Sequence, residues 1–185
     1  MGEDAGKVFR LDNEVLAFRF TATLSHRAGS APLERLTSPE RLRLWLGAVG
    51  LDPKQEVTDQ QLALALMLRE TTYRVGLSVT RGEPWEDADA AVLNSLAAAG
   101  RPAPVLARDG RRWKLSAEAP VSDGLAVIAS DAVATYATND GGRIKICDGP
   151  DCRGLFLDTS RGNNRRWCSM NTCGNRAKKA RMNAR

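Results

Sequence analysis

The four cysteines of this chain constrain its structure more than any other feature. They form two pairs with the same C-x4-C spacing, Cys147 with Cys152 and Cys168 with Cys173, and fifteen residues separate the pairs. Two close pairs of thiols in a reducing cytoplasm are typical of a tetrahedral zinc site, because each pair needs only a tight loop to point two thiolates at one ion. Sulfur fills all four positions, so we expect the Zn²⁺ cofactor to be structural and not catalytic.

Other interpretations of the cysteines fit the pattern to different degrees. Disulfides are disfavoured in a reducing compartment. Unrelated buried thiols are not expected to cluster within 27 residues of a chain that has no other cysteine. An iron–sulfur cluster also takes four thiolates and stays an alternative to zinc. The segment is too small to bury enough apolar surface alone, so metal binding is expected to drive its folding.

The residues around the cysteines predict how this segment folds. Residues 148–151 have turn-forming composition, and residues 155–157 and 165–167 are predicted to pair as a short hairpin. A helix is expected to begin at the second pair, with Cys173 in its first turn. A knuckle, a hairpin and a helix N-terminus that share one metal ion form a treble-clef-like arrangement.

Positive charge is concentrated at the same end of the chain. Residues 143–185 carry a net charge of +8, whereas residues 1–142 carry −3. This asymmetry predicts a polyanionic partner, although a solubilising tail is the simpler alternative. Arginine and lysine neutralise phosphates, and arginine and asparagine also pair with base edges. The candidate nucleic-acid contacts are Arg161, Arg165, Arg166, Asn175, Arg176, Lys178, Lys179 and Arg181.

The first part of the chain predicts a mainly helical fold with small β-hairpins. Helices are expected over residues 39–49 with Ser38 as the N-cap, over 58–80, over 84–99, and from a Ser122 or Asp123 cap through residue 136. The Asp109-Gly110 turn predicts a hairpin within residues 105–115. A loop at 139–142 divides the chain into a helical domain (residues 1–142) and a finger (residues 143–185). Residues 9–35 fit either a strand or a helix, with a preference for helix.

Three expectations concern side chains of the helical domain and the finger core. The 58–80 helix is predicted to turn one apolar stripe inward, built on Leu62, Leu66, Tyr73 and Leu77 and widened by Leu64, Leu68, Val75 and Val79. Glu70 and Arg74 are spaced to pair on the surface, and Arg69 is expected either in a partly buried bridge or in contact with an anionic effector. Trp167 and Phe156 are expected to form the small core around the metal ion rather than to stack on bases.

Two stretches of sequence resemble known families. The C-terminal segment resembles the CGNR zinc finger. The resemblance rests on the strings RRWCSM at 165–170 and CGNR at 173–176, together with Cys152 and the string FLDTSR at 156–161. The resemblance implies that the four cysteines are the metal ligands, and it places Asp158, Ser160, Arg161, Arg166, Asn175 and Arg176 in the family pattern. The helical domain resembles the ABATE domain, which usually precedes this finger. The resemblance rests on the string LAF at 16–18, on Leu42, Trp45 and Leu46, and on the strings LRE at 68–70 and LN at 93–94.

The resemblance implies a bacterial, stress-induced regulator of transcription. One departure concerns its helical domain: the family tends to carry Asn-Thr soon after the first apolar segment, and here the dipeptide is Ala22-Thr23. If that asparagine lines a ligand pocket in the family, this member binds something different or nothing.

These observations favour a DNA-binding transcription regulator whose helical domain senses a small ligand or a partner protein. The alternatives are a protein-interaction module, with the finger docked on an acidic partner, and an RNA-binding protein. An enzyme is the least favoured class, because the chain has a single histidine, His26, and no catalytic motif. No signal peptide or membrane span is expected, so the predicted compartment is the cytoplasm. A homodimer is compatible with paired DNA half-sites.

Overall fold

The computed structural model of the chain describes residues 5–108, 110–138 and 142–183. The helices are α1 (Ala5–Val8), α2 (Leu16–Thr21), α3 (Pro39–Ala48), α4 (Asp59–Arg81), α5 (Asp87–Ala99), α6 (Pro120–Ala137) and α7 (Asn175–Asn183). Three antiparallel hairpins pair β1 (Leu24–Ser25) with β2 (Leu33–Glu34), β3 (Ala103–Ala107) with β4 (Gly110–Lys114), and β5 (Ile144–Ile146) with β6 (Leu155–Leu157). The prediction of a mainly α fold with small hairpins is confirmed. Within the described ranges, no helix combines the length and the apolar character that crossing a bilayer requires.

The long helix α4 lies at the centre of the fold and has strong end signals. Thr58 and Gln61 form a reciprocal capping box at its start, and Gly82 ends it in the left-handed conformation with φ of 66°. The helix packs against α2, α3, α5 and α6, and also against the β5–β6 hairpin. A single helix therefore contacts both the helical domain and the finger.

The buried face of α4 matches the predicted stripe only in part. Leu68 and Val75 of the widened stripe are buried, but Leu62, Leu66, Tyr73 and Leu77 are only half-buried. Small and polar residues dominate the buried face, because neighbouring helices approach this helix closely: Ala65, Arg69, Thr71, Thr72 and Gly76. The predicted Glu70–Arg74 pair is also wrong: Glu70 pairs with Arg27 and Arg69, and Arg74 pairs with Asp89 of α5.

The remaining helices follow their predicted positions with two corrections. Ser38 caps α3 by accepting a hydrogen bond from the Arg41 amide. The helix α6 begins at Pro120, earlier than expected, because Asp123 points inward and accepts hydrogen bonds from the Arg101 and Ser116 amides instead of capping. Residues 9–35 contain the short helix α2 and the β1–β2 hairpin, so the preference for helix holds in part. Most of the predicted 139–142 loop lies outside the described residues.

One hydrophobic core extends from the helical domain into the finger. Its largest fully buried side chains include Trp45, Phe18 and Phe20, and the Phe20 and Trp45 ring centroids lie 4.9 Å apart. Ile144 and Leu155 of the finger hairpin belong to the same cluster. Because side chains alternate along a strand, Leu155 and Leu157 face the helices while Phe156 faces the cysteines. The β5–β6 hairpin therefore contributes side chains both to the main hydrophobic core and to the small core around the cysteines.

Substituting Gly76 tests whether this shared packing is tight. A Cβ atom at Gly76 would overlap the Leu155 side chain and lie 3.0 Å from the Tyr136 hydroxyl oxygen. We expect Gly76→Ala to destabilise the chain by about 1–3 kcal/mol, which lowers the melting temperature by about 2–4 °C per kcal/mol. Gly47→Ala is the matched control, since the nearest atom to its Cβ is 3.9 Å away and alanine favours a helix. Equal melting temperatures for the two variants would contradict tight packing at this contact.

Candidate metal centre and nucleic-acid interface

A tight turn presents the first cysteine pair. The Cys152 amide donates to the Gly149 carbonyl at 2.9 Å, and the Cys147 amide donates to the Gly154 carbonyl at 2.9 Å. The Gly149 amide also donates to the Cys147 Sγ at 3.4 Å. These bonds fold residues 147–154 into a knuckle whose two sulfur atoms point the same way.

The hairpin of the finger is not the predicted one. Residues 155–157 pair with Ile144–Ile146, which flanks the knuckle on its other side. Residues 165–167 form no strand. Instead the Arg165 guanidinium donates to the carbonyls of Trp167 and Cys168, and its backbone amide donates to Asp158. The knuckle is the loop of this hairpin, and its β5 and β6 strands pair in a one-to-one register.

The second cysteine pair opens the last helix. Ser169 caps a π-helical turn (Met170–Gly174) by accepting a hydrogen bond from the Thr172 amide at 3.3 Å. This turn carries Cys173 and leads directly into α7. The knuckle, the hairpin and the helix start are therefore all present, as the treble-clef-like prediction requires.

The four cysteine sulfur atoms form a compact cluster. All of them lie within 4.8 Å of one another, and the four residues are buried with Phe156 and the partly buried Trp167. The Cys152–Cys168 and Cys168–Cys173 sulfur distances are 3.6 and 3.8 Å. A tetrahedral centre with Zn–S bonds of about 2.3 Å has S–S edges of about 3.8 Å, so the cluster fits a metal ion of this kind.

The four thiols shift one another's pKa values. Hydrogen bonds among them raise the pKa of Cys147 and Cys168 and lower the pKa of Cys152. A metal ion replaces the thiol protons, which makes its binding dependent on pH.

An arginine from the helical domain contacts the cluster. Arg10 donates through Nη2 to the Cys168 Sγ at 3.3 Å and through Nη1 to the Cys152 Sγ at 3.8 Å. Sequence reasoning did not find this residue, because it lies 142 positions from Cys152 and belongs to no local pattern.

Asp158 organises the loop between the two cysteine pairs. Its fully buried carboxylate accepts from Lys145 Nζ at 2.6 Å, from the Ser160 amide and hydroxyl, and from the Arg165 amide at 2.8 Å. Burial alone would raise the pKa of Asp158, but these hydrogen bonds outweigh it and hold the pKa well below its usual range. The carboxylate thus joins β5 to the loop that leads to the second pair.

Removing this charge is expected to destabilise the finger. Asp158→Asn replaces an acceptor of four hydrogen bonds, at a cost of about 1–3 kcal/mol. The pKa of Asp158 is lower in the folded chain than in the unfolded chain, so its carboxylate stabilises the fold above the unfolded-state pKa. The loss of unfolding free energy in Asp158→Asn should therefore stay constant from about pH 8 to pH 5 and shrink below about pH 4. Thermal melting across this pH range measures the deficit. Asn164→Ser, an exposed change in the same loop, is the control.

The predicted nucleic-acid contacts divide into two groups. Six of them are exposed to solvent: Arg161, Asn175, Arg176, Lys178, Lys179 and Arg181. Arg165 is turned inward, over the Phe156 ring and onto backbone carbonyls, and its contact with nucleic acid stays a prediction. Arg166 is exposed, but its Nε lies 2.7 Å from the Asp148 carboxylate and its guanidinium lies over Trp167. The Asn175 side chain donates to the Asn171 carbonyl.

The helical domain encloses a second polar cluster around Arg69. This buried guanidinium donates to both Glu34 oxygens at 2.7 Å and to Glu70 at 2.7 Å, and it also contacts the Thr23 hydroxyl. Burial would raise the pKa of Glu34, but the hydrogen bonds from Arg69 lower it. Arg69 is thus the buried bridge that the sequence favoured, and its contact with an anionic effector stays a prediction.

Comparisons with known proteins match both parts of the chain. The sequence model of the CGNR zinc finger matches residues 143–185. The model of the ABATE domain, described as "Putative stress-induced transcription regulator", matches residues 14–139, which is more than half of the chain. A search of the curated proteins gave no match. The chain therefore belongs to the ABATE family and carries a CGNR zinc finger at its C-terminal end.

Proposed function

We propose that this protein is a DNA-binding transcription regulator whose finger is held by one structural Zn²⁺ ion. The observation that carries the proposal is the character of α7. This helix buries none of its residues and carries four basic side chains, Arg176, Lys178, Lys179 and Arg181, with no acidic residue anywhere after Asp158. A helix with a basic surface and no buried residue is suited to bind in a groove of a nucleic acid.

The donor set supports zinc as the ion. Four buried thiolates at tetrahedral separations bind a borderline-soft divalent cation strongly. Cys147, Cys152, Cys168 and Cys173 would hold the ion, and the ion would fix the start of α7 relative to the knuckle. Its contribution is structural, because every ligand position belongs to the protein.

Two side chains of the helical domain donate hydrogen bonds to the backbone of the finger. The Asn13 side chain donates to the Leu155 carbonyl at 2.9 Å, and the Tyr73 hydroxyl donates to the Arg153 carbonyl at 2.8 Å. A ligand or partner protein that moves α4 or the segment before α2 would therefore act directly on the hairpin and the knuckle. We extend the proposal to this role: the helical domain senses an effector and passes its effect to the finger through these contacts.

A protein partner is the second candidate, and one observation favours it. A surface groove of about 320 Å³ runs beside α7 and is lined by Trp167, Met170 and Met182, of which the two methionines are 58% and 66% exposed. Exposed methionines next to basic side chains suit an acidic, amphipathic segment of another protein.

Competition binding separates the candidates. The zinc-loaded full chain is titrated into fluorescently labelled mixed-sequence duplex DNA, followed by unlabelled duplex DNA, duplex RNA or polyglutamate. The proposal predicts that duplex DNA competes best. Equal or better competition by RNA would favour the RNA-binding alternative, and displacement by polyglutamate at matched charge would favour the protein partner.

A further inference from the structure

The side chain of Arg10 reaches the metal centre from the other domain. Arg10 lies between α1 and α2, and its guanidinium forks across two sulfur atoms, Cys152 Sγ and Cys168 Sγ, one from each cysteine pair. The side chain is 20% exposed, so water screens it weakly. This contact joins two parts of the chain that are far apart in sequence.

The surrounding residues hold Arg10 in this position. Phe9 next to it is buried in the main core, and Asn13 is tied to the Leu155 carbonyl of the finger hairpin. The Asp12 carboxylate lies 4.0 Å from Arg10 Nε, too far for a hydrogen bond, and Nε has no acceptor among the described residues. The sulfur atoms are therefore the closest acceptors of this guanidinium.

A small cavity accompanies the contact. It has a volume of about 20 Å³ and is lined by residues that include Arg10, Asp12, Ser25, Cys152 and Cys168. A cavity of that size admits one water molecule, which would accept from Nε and bridge it to a polar neighbour. The guanidinium can thus be fully hydrogen-bonded without leaving the sulfur atoms.

The charge of the centre explains why a cation belongs there. A divalent ion with four thiolates retains a net negative charge of about two, and this charge is buried. A guanidinium stays protonated at any relevant pH and donates charge-assisted hydrogen bonds. Such donors draw electron density from the sulfur atoms, which makes the thiolates weaker nucleophiles and poorer sites for protons that would displace the metal. Outer groups of this kind commonly change metal affinity by about 10- to 100-fold.

We propose that Arg10 is a positioning residue of the metal centre, through which the helical domain controls how firmly the finger retains its metal and how reactive Cys152 and Cys168 are. The inference rests on the proposed metal site. It adds a residue that lies outside both the cysteine motif and the basic helix. Through this residue the helical domain contacts the metal centre of the finger directly.

Zinc release from the full-length chain tests the proposal. Zinc-loaded wild type, Arg10→Gln and Arg10→Lys are mixed with a colorimetric zinc chelator, 4-(2-pyridylazo)resorcinol, and the release rate is followed. Arg10→Gln should release zinc about 10- to 100-fold faster than wild type. Arg10→Lys keeps the positive charge but cannot donate to both sulfur atoms at once, so its release rate should lie between those of wild type and Arg10→Gln. Arg43→Gln, an exposed arginine of α3, should match wild type.

Mapping of cysteine alkylation distinguishes this role from general loosening. Zinc-loaded proteins react with N-ethylmaleimide, and mass spectrometry locates the modified residues. Because Arg10 donates to Cys152 and Cys168, Arg10→Gln should speed modification of these two before Cys147 and Cys173. Equal acceleration at all four cysteines, or an unchanged release rate in a variant that binds one zinc ion, would overturn the inference and leave the proposed function standing. A wild-type chain that binds no zinc would overturn the metal part of the proposed function itself.

Discussion

Cys168→Ser is expected to abolish tight metal binding and to lower the melting temperature of the helical domain together with the finger. Structural zinc contributes about 10–16 kcal/mol of apparent binding free energy in zinc-finger peptides, and most of that is lost with one ligand. The knuckle and the start of α7 then have no common anchor. Ile144 and Leu155, which complete the main core, lose the hairpin geometry that positions them.

The measurement combines metal content with melting. Zinc per chain is determined by mass spectrometry, and melting is followed by circular dichroism, which reports chiefly on α3 to α6. We expect a fall of at least about 10 °C, given about 2–4 °C per kcal/mol for a chain of this size. Met170→Leu, an exposed change in the same turn, should leave both quantities unchanged. A variant that loses its zinc but melts at the wild-type temperature would show that the hairpin is not coupled to the helical core.

Removal of charge from α7 is expected to have the largest effect on DNA binding. Arg176 and Lys179 are three residues apart and share one face of the helix, whereas Lys178 and Arg181 line the groove beside Trp167. Changing Arg176 and Lys179 together to glutamine should weaken binding roughly tenfold at moderate salt and reduce the slope of log K against log salt by about 0.9 for each lost phosphate contact. The Lys178 and Arg181 pair should have a smaller effect, because both residues line the groove beside Trp167 and Met170, on the side of α7 that faces the finger.

The control removes the same charge elsewhere. Arg43 and Lys54 lie on the surface of the helical domain, and Lys54 is 84% exposed. Their double change to glutamine should leave the affinity and the salt slope nearly unchanged. An equal loss of affinity in the control and the α7 variants would mean that net charge, and not the helix, determines binding. Asn175→Ala then tests base contact: it should alter the preference among DNA sequences more than the overall affinity.

The structure shows which features a sequence can predict. Helix caps are local, so Ser38 correctly marks the start of α3, and the predicted 58–80 helix matches α4 to within one residue at each end. Cysteine spacing is also local, because each knuckle needs only a short loop, and the four thiols lie together as predicted. These signals act over a few residues and do not depend on the rest of the fold.

The features that sequence reasoning missed depend on tertiary packing. Hydrophobicity correctly placed Leu68 and Val75 inside, but close helix packing also buries Ala65, Thr72 and Gly76, which the predicted stripe does not include. The predicted partner of β6 was residues 165–167, whereas Ile144–Ile146 forms the pairing. The contact between Arg10 and the cysteines joins residues 142 and 158 positions apart, for which no local pattern exists.

Binding of the zinc-loaded chain to duplex DNA across a range of salt concentrations decides whether the finger contacts DNA. Fluorescence anisotropy with a labelled mixed-sequence duplex gives the binding constant at each concentration, and circular dichroism confirms that the same sample is folded. We expect saturable binding at low salt whose log K falls linearly with log salt, with a slope that corresponds to several phosphate contacts at about 0.9 each. A folded chain with one zinc ion that shows no change in anisotropy at about 50 mM salt, where phosphate contacts are strong, would contradict this expectation.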